Sequence, residues 1–517
     1  MASPLTRRPA RQPHTRAPAP AREAQPARGD AQDSAGPRAS GAGPGGAEPS
    51  GAGPGASGAG IREPRARRAL GTLALGGLAA GSVATVAMAA QRPSFLTPTS
   101  RPGYFPAWMA GPLRGLWPGL TRSYDSLAWQ ASALMAAMFA CYLLAYACSR
   151  SVRARWSVSA VVAVHVVFLL APPLSYTDVF NYINYGRMAA VHHLDPYTTI
   201  PQLEPHSDPS FALSNWHFLL SPYGPLFTLL TEALVPLGVV ASFWALKLMI
   251  GIASLATLAL VWRCAVLLGR APAPAVVFVG ANPIFLVWGL GADHNDSLML
   301  VCVMACVYML LRSPARHRAG AMALVAGAMI KASAAVIAPI LLVVAPTRRF
   351  ARGALEASVA LGAASLLAFG AHLPGLSTQS RLVTGIGLPN LLGLALGLGG
   401  ETRGLHAAIS VLVLACTLLC ALWAHRRPAD WLAACAAVLL VLIASLSWAA
   451  PWYLVWALPF AALACGRRLR LVTVALGVYF LLAFVPAAPM LAQAIHLNPE
   501  TTRLGRQHRR EIEALVR

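Results

Sequence analysis

Residues 156–187 read WSVSAVVAVHVVFLLAPPLSYTDVFNYINYGR, an apolar run that passes directly into a polar segment containing Asp178. The run from Trp156 to Leu174 holds no Lys, Arg, Asp or Glu and is about as long as a helix that crosses a bilayer. Arginines stand immediately before it, at 150–155, and basic residues gather on the cytoplasmic side of a membrane. The stretch therefore predicts a membrane helix that runs outward and delivers Asp178 to the outer surface.

The composition of the whole chain fits the same pattern. Of the 517 residues, 56% are hydrophobic and only 12% are charged, about half the charged share of a soluble domain. Further spans are predicted near 70–90, 127–147, 243–262, 272–290, 296–311, 319–345, 353–371, 405–424, 430–448, 451–465 and 470–488. The predicted fold class is an all-α polytopic membrane protein with about 11–13 transmembrane helices and a large outside loop after the third helix.

Three apolar stretches do not fit simple spans. Residues 219–240 and 386–400 are interrupted by Pro or Gly, and we predict that they are interfacial or re-entrant. The run 319–345 is flanked by basic clusters on both sides, with Lys331 near its middle. It predicts two half-helices that meet at the outer face.

Three regions of the chain differ in composition. Residues 1–68 are rich in Ala, Pro, Gly and Arg and lack the large apolar residues that a core requires, so we predict a disordered cytoplasmic tail. Residues 69–495 hold the predicted spans and form the transmembrane domain. Residues 496–517 form a basic C-terminal tail.

Charge and motif content disfavour several classes of protein. The net charge of +22 comes largely from arginines in the tails and in short clusters between apolar runs, as in cytoplasmic loops rather than in nucleic-acid interfaces. The sequence contains no Walker-type phosphate loop and no dinucleotide-binding glycine pattern. Histidines of the outside loops match no metal-ligand spacing, and the cysteines lie in or at the ends of apolar runs. We therefore expect no cofactor, no metal site and no disulfide framework.

Acidic residues outside the tails are few, and Asp178 stands out by its position. A carboxylate at the bilayer boundary costs desolvation energy unless it is paired or used. Tyr182 follows at the spacing of one helical turn, and Arg187 is a candidate partner for a carboxylate or a phosphate. Two interpretations stay open: a functional carboxylate, or a helix N-cap paired with Arg187 and without a catalytic role.

A second polar group lies between two apolar runs, in GADHNDSLML. It places Asp293, His294, Asn295 and Asp296 together at a membrane edge, more polar side chains than helix capping requires. Lys331 stands among apolar residues in GAMIKASAAV, where an ammonium group usually pairs with an anion. The phosphate of a lipid carrier is one such anion.

These segments resemble a known family. They are TDVFNYINYGRMAAVHHLDPYTTIP (177–201), SPYGPLFTLL (221–230), ANPIFLVWGLGADHNDSLML (281–300), IKASAAVIAPILL (330–342) and SWAAPWYLVWALPF (447–460). In this order they are similar to the GT-C polyprenyl-phosphate-mannose-dependent mannosyltransferases, and most to the bacterial α-1,6-mannosyltransferases of the lipomannan core. The resemblance covers about residues 70–490 and excludes both tails.

The resemblance implies a GT-C-like helical bundle and an inverting glycosyltransferase of the cytoplasmic membrane, with its active site on the outer face. The donor it implies is a polyprenyl phosphate sugar, here mannose, and the acceptor is a glycan or glycolipid. Asp178 is the position that matches the catalytic aspartate, which would act as a general base. No cofactor is implied.

Further roles are hypotheses from residue type and outside placement. The phosphate charge would be met by Arg187 and Lys331. Sugar faces or the isoprenoid head would be held by aromatic residues, namely Tyr182, Tyr197, Trp452 and Tyr453. Sugar hydroxyls and other substrate groups would be bound by the polar loop, namely Asp293, His294, Asn295 and Asp296.

Three alternatives remain at this point. One is a GT-C enzyme that uses another lipid-linked sugar, such as glucose or arabinose. Another is a transporter or flippase for a lipid-linked sugar, although such proteins show internal repeats that this sequence lacks. The third is a membrane assembly protein in which Asp178 merely pairs with Arg187.

Overall fold

The structure, a computed structural model, describes residues 57–90, 106–113, 124–375 and 380–516. The tail predicted over 1–68 lies largely outside these residues. Its last part differs from the prediction, because the first helix already begins at Ser57.

The described residues form helices joined by loops. The α-helices are α1 (Ser57–Ala89), α2 (Tyr124–Cys148), α3 (Ala154–Leu169), α4 (Asp178–Ala190), α5 (Pro225–Leu234), α6 (Gly238–Leu267), α7 (Pro272–Gly280), α8 (Asp296–Arg312), α9 (His317–Ile330), α10 (Ala338–Val344), α11 (Arg348–Phe369), α12 (Leu388–Ala395), α13 (Arg403–Arg426), α14 (Trp431–Ser445), α15 (Leu458–Leu463), α16 (Arg467–Phe484), α17 (Ala488–Ala494) and α18 (Arg503–Val516). A π-helix spans Ile284–Gly291. Short 3-10 helices span Ala107–Ala110, Pro201–Leu203, Val235–Leu237, Pro314–Arg316, Ala332–Ile337, Pro428–Asp430, Pro451–Trp456 and Pro499–Thr501.

Several of these helices are long and apolar enough to cross a membrane. Within the described residues there are six, or up to eight if each of two bent pairs counts as one span. The six are Arg65–Ala89, Asp125–Cys148, Pro225–Leu267, Arg348–Phe369, Arg403–Arg426 and Pro428–Ser445. This confirms the all-α polytopic class. Full-length spans are fewer than the predicted 11–13, because several apolar runs form only shorter apolar helices, namely Ala154–Leu169, Ala332–Val344 and Pro451–Leu463. The span predicted over 156–174 accordingly ends at Leu169.

The interrupted stretches adopt distinct shapes. Most of the stretch 219–240 belongs to one 43-residue apolar segment, Pro225–Leu267, rather than to a separate re-entrant element. The stretch 386–400 contains the short helix α12. The run 319–345 breaks where the sequence predicts: α9 ends at Ile330, and Lys331 has an extended backbone with φ −151° and ψ 123°.

Close packing at two glycines fixes neighbouring segments. A Cβ atom on Gly353 of α11 would lie 2.1 Å from the carbonyl oxygen of Arg318, so α11 and α9 approach at backbone distance there. A Cβ atom on Gly224 would lie 2.0 Å from the carbonyl oxygen of Met329. Because Gly224 also donates a backbone hydrogen bond to Ile330, the start of α5 is held against the break that carries Lys331.

Candidate active site

A cavity of about 790 Å³ gathers six of the side chains predicted from sequence. They are Asp178, Tyr182, His294, Lys331, Trp452 and Tyr453. These residues come from four separate parts of the chain: α4, the loop before α8, the break after α9, and the 3-10 helix Pro451–Trp456. The cavity is therefore a product of the tertiary fold.

Asp178 is the first residue of α4 and is half-buried at the cavity wall. The hydroxyl of Tyr223 donates a hydrogen bond of 3.1 Å to Asp178 Oδ1. Burial raises the pKa of the Asp178 carboxyl to about 6, against the opposing effects of that hydrogen bond and the charge of Lys331. The group is thus mostly ionised at neutral pH, yet it is more basic than an ordinary aspartate.

Tyr223 is a contact that the sequence reasoning missed. It lies in the SPYGP segment, immediately before the glycine that packs on the end of α9. Its ring also meets the ring of Tyr182 edge-on, with centroids 4.7 Å apart. The segment resembles the mannosyltransferase family, but nothing in its composition marks the tyrosine as a partner of Asp178.

Lys331 faces the cavity from the break between α9 and the following 3-10 helix. Its Nζ atom lies 2.9 and 2.8 Å from the two carboxylate oxygens of Asp296, whose side chain is 1% exposed. Trp456 Nε1 donates a further hydrogen bond to Asp296. Nζ also lies 5.3 Å from the centre of the Tyr453 ring. An ammonium group has three donors, so one remains for an anion in the cavity.

His294 and Trp452 form a stacked pair at the cavity wall. Their ring centroids are 3.8 Å apart with an interplanar angle of 14°. The hydroxyl of Tyr182 lies 3.5 Å from His294 Nδ1. Burial, assisted by the charge of Lys331, lowers the pKa of His294 well below its usual value, so the ring is neutral. Its buried Nε2 has no hydrogen-bond partner among the described residues.

The other residues of the polar loop do not line the cavity. Asp293 pairs with Lys247, whose Nζ lies 3.0 and 3.1 Å from the two carboxylate oxygens. Both side chains are at most 2% exposed. Asn295 is fully buried, and its backbone N–H donates to the Tyr182 hydroxyl at 3.4 Å. Asp293 and Asn295 thus support the loop that presents His294.

Arg187 and Tyr197, both predicted to contact substrate, are placed elsewhere. The guanidinium of Arg187 donates two hydrogen bonds of 2.9 Å to Asp208, which His192 also contacts at 2.9 Å. Burial alone would raise the pKa of Asp208, but the hydrogen bonds from Arg187 and Ser210 lower it well below its usual range. The Tyr197 hydroxyl donates to the carbonyl oxygen of Tyr223 at 3.0 Å. Neither residue is among the lining residues of the cavity, and both hold the outside loop through these hydrogen bonds, so their contact with substrate stays a prediction.

A second polar wall of the cavity was not predicted. Ser447 and His406 line it, and both contact the buried carboxylate of Glu401. The Ser447 hydroxyl donates to Glu401 Oε1 at 2.6 Å, and His406 Nδ1 lies 3.0 Å from the same oxygen. Trp216 and Trp448 stand nearby in an edge-to-face pair with centroids 5.8 Å apart. No spacing in the sequence connects these positions.

The C-terminal segment contributes to the cavity as well. Within the predicted tail 496–517, α18 places Ile512 and Val516 on the cavity lining. The backbone N–H of Phe218 donates to the carbonyl oxygen of Leu515 at 3.1 Å, which ties α18 to the outside loop. The predicted basic C-terminal tail thus contains the helix α18 over Arg503–Val516.

The fold and the cavity together define a membrane protein of the enzyme class. A weakly acidic carboxylate, an ammonium group and stacked aromatic rings border one space large enough for a sugar and its phosphate. Such a set suits the deprotonation of a hydroxyl beside an anionic leaving group.

Comparison with known proteins is consistent with this class. Residues 69–347 match the model of the alpha-(1->6)-mannopyranosyltransferase N-terminal domain, and residues 383–497 match that of the MptB C-terminal domain. The chain belongs to this alpha-(1->6)-mannopyranosyltransferase family. No solved structure matches it.

Individual relatives carry the same description. Alpha-(1->6)-mannopyranosyltransferase A of Mycobacterium tuberculosis is 28% identical over 358 residues, which is 62% of this chain and 67% of the relative. The protein of that name from Corynebacterium glutamicum is 31% identical over 184 residues, covering 34% of this chain and 36% of the relative. These matches confirm the predicted family and the prediction of a membrane-bound glycosyltransferase of the mannosyltransferase type.

Proposed function

We propose that this protein transfers a mannosyl group from polyprenyl phosphate to a glycan or glycolipid acceptor, with Asp178 as the general base. The observation that carries the proposal is that Asp178 and Lys331 border the same cavity. The first is placed to accept a proton and the second to receive a phosphate.

The reaction is a single displacement. The acceptor hydroxyl oxygen attacks the anomeric carbon of the donor sugar, and the bond from that carbon to the phosphate oxygen breaks. The electron pair leaves with polyprenyl phosphate, while the hydroxyl proton passes to the Asp178 carboxylate. Attack from the face opposite the phosphate inverts the anomeric configuration. A phosphate leaves as an anion, so no strong general acid is required.

The donor fits the side of the cavity around Lys331. The free Nζ–H of Lys331 supplies a charge-assisted hydrogen bond to the phosphate. The apolar side chains of Val336, Val413 and Leu442 also line the cavity and suit the first isoprene units of the lipid. Ser333 Oγ is buried without a hydrogen-bond partner among the described residues, as is His294 Nε2, and both atoms suit hydroxyl or phosphate oxygens.

The acceptor fits the polar wall formed by His406 and Ser447. The Glu401 carboxylate has no lysine or arginine partner in the described part of the chain, so this wall disfavours a second phosphate and suits a neutral sugar. His406 and Ser447 offer hydrogen bonds to sugar hydroxyls, and Trp216 and Trp448 offer ring faces.

The geometry of α3 supports an active site on the outer face of the cytoplasmic membrane. Ala154, at the start of α3, lines a second cavity that also holds Arg150, Arg270 and Arg470. The far end of α3 leads into Ser175, which lines the first cavity. Sixteen residues of helix span about 24 Å, so the two cavities lie at opposite ends of α3. Arg150 and Arg270 lie in short connections between consecutive helices and Arg470 in the first turn of α16, where the positive-inside rule applies, so this end is the cytoplasmic one; the arginines of α18 follow the last apolar helices and connect no two of them.

The test is a donor panel with the purified wild-type protein in lipid vesicles and a short α-1,6-linked mannoside as acceptor. Polyprenyl phosphates of mannose, glucose and arabinose are compared with GDP-mannose. We expect transfer from polyprenyl phosphate mannose with inversion. Preference for another polyprenyl phosphate sugar would refute the mannose assignment, and transfer from GDP-mannose alone would refute the lipid-linked donor.

A further inference from the structure

A second cavity, of about 1020 Å³, lies at the end of the helix bundle opposite Asp178. It is bordered by the ends of α2, α6 and α15 and by the starts of α3, α7 and α16. Three arginines line it: Arg150, Arg270 and Arg470. Among its described lining residues none is acidic, so the cavity carries an uncompensated positive charge.

The hydrogen bonds of these arginines leave donors unused. Arg270 Nη2 donates to the sulfur of Cys465 at 2.6 Å, which is a weak acceptor. Arg270 Nη1 is buried and has no partner among the described residues. Arg470 Nη1 donates to the carbonyl oxygen of Ala464 at 3.1 Å. A buried guanidinium nitrogen without an acceptor indicates a site that an anion completes.

The backbone adds to the positive electrostatic potential of this cavity. Three helices begin at the cavity, at Ala154, Pro272 and Arg467. None of the three N-termini has a side-chain cap. Uncapped N–H groups and the positive ends of the helix dipoles favour an anion, and most of all a phosphate.

The surroundings place this cavity at the edge of the bilayer. Val266 and Leu267 form the end of α6, shortly before Arg270 in the sequence, and they are 55% and 45% exposed. Trp156, near the start of α3, is 54% exposed, and the guanidinium carbon of Arg155 lies 5.5 Å from its ring centre. Exposed aliphatic side chains beside arginines, with a tryptophan at the same level, are typical of the boundary between acyl chains and headgroups.

We propose that this cavity binds the phosphate of an anionic membrane phospholipid at the cytoplasmic face. Arg270 and Arg470 hold the phosphate, the three helix N-termini support it, and the acyl chains lie along Val266 and Leu267. The site is separate from the proposed transfer reaction and does not depend on it.

The test uses the full chain in nanodiscs of phosphatidylcholine, alone or with a fraction of phosphatidylglycerol. Bound phosphatidylglycerol is counted by native mass spectrometry on the low charge states that belong to folded protein. The test variant is Arg270→Gln/Arg470→Gln. The matched control is Arg426→Gln/Arg427→Gln, which removes the same charge from exposed positions at the end of α13, away from the cavity lining and from the three helix N-termini. Arg270→Lys/Arg470→Lys keeps the charge and checks for indirect effects.

We expect the test variant to bind phosphatidylglycerol about 25-fold more weakly, roughly fivefold for each of the two arginines lost. The control should stay within about twofold of wild type, and the lysine variant should retain most of the binding. Equal affinity in the test and control variants would overturn the proposal. Inorganic phosphate is titrated in phosphatidylcholine discs as a separate arm. If phosphate alone occupies the site and phosphatidylglycerol adds nothing, the ligand is a soluble anion and the lipid assignment falls.

Discussion

The buried ion pair of Lys247 and Asp293 allows a test of whether these residues stabilise the fold or take part in sugar transfer. Replacing Lys247 by Met keeps much of the volume of the side chain but removes its charge. The Asp293 carboxylate would then stay in an environment where it is 2% exposed, without the two contacts of 3.0 and 3.1 Å that now compensate it. Breaking one partner of such a pair costs about 3–5 kcal/mol, because an unpaired charge remains buried.

The double variant Lys247→Met/Asp293→Leu removes both charges and should cost less than the sum of the costs of Lys247→Met and Asp293→Leu. A coupling energy of about 2–3 kcal/mol is expected for a pair in direct contact. Equilibrium unfolding in detergent, followed by tryptophan fluorescence, gives the four free energies of unfolding. Sugar transfer is then measured per folded molecule.

Because neither residue lines the cavity, the KM values of donor and acceptor should change less than about twofold in the double variant. A single-site cost below about 1 kcal/mol would show that the pair is not buried as described. A large loss of transfer in a folded double variant would return Asp293 to the substrate site.

Three further outcomes are expected from the cavity itself. Because burial raises the pKa of Asp178 to about 6 and the base must be ionised, kcat/KM should be level above that pH and fall about tenfold per unit below it; a level profile down to pH 5 would contradict this. The double variant Lys331→Met/Asp296→Asn removes the ammonium group without leaving the buried Asp296 carboxylate unpaired. Measured per folded molecule, it should raise the donor KM by about 10- to 100-fold with a smaller effect on the acceptor KM, since a charge-assisted hydrogen bond is lost; equal effects on both would argue against a phosphate site. Replacing His406 by Ala should raise the acceptor KM by about 5- to 10-fold, because a hydrogen bond to the acceptor sugar is lost. His425→Ala, at an exposed position of the same helix, serves as the control. A change in the donor KM alone would refute the assignment of the His406 wall to the acceptor.

Much of the fold could be predicted from the lengths of the apolar runs. The predicted spans 296–311, 405–424 and 430–448 agree closely with α8, α13 and α14. The breaks are harder, because an apolar run has the same composition whether one helix or two short ones fill it. The break at Lys331 was the exception, since a lone lysine in such a run is itself a signal.

The candidate site was predicted only where a polar residue interrupts an apolar environment. Asp178, His294 and Lys331 were found in this way, and the cavity brings them together. Pairings were not predictable, because Lys247 lies 46 residues from Asp293 along the chain. His406 gave no signal, since a single histidine at the start of a span resembles any interfacial residue.

The C-terminal segment illustrates another limit. Its basic composition predicted a tail, whereas the apolar residues Ile512 and Val516 lie on one face of α18 and contact the cavity. The helical spacing was present in the sequence, but only the tertiary fold shows which surface that face covers.

The most direct test of the account is transfer from polyprenyl phosphate mannose by the Asp178→Asn variant, compared with wild type at equal amounts of folded protein. Asparagine keeps the size and polarity of the side chain, and it can still accept the hydrogen bond from Tyr223, but it cannot take up a proton. We predict a loss of at least about 100-fold in kcat with donor binding retained. Full activity in this variant would contradict the central claim and would leave Asp178 with a structural role only.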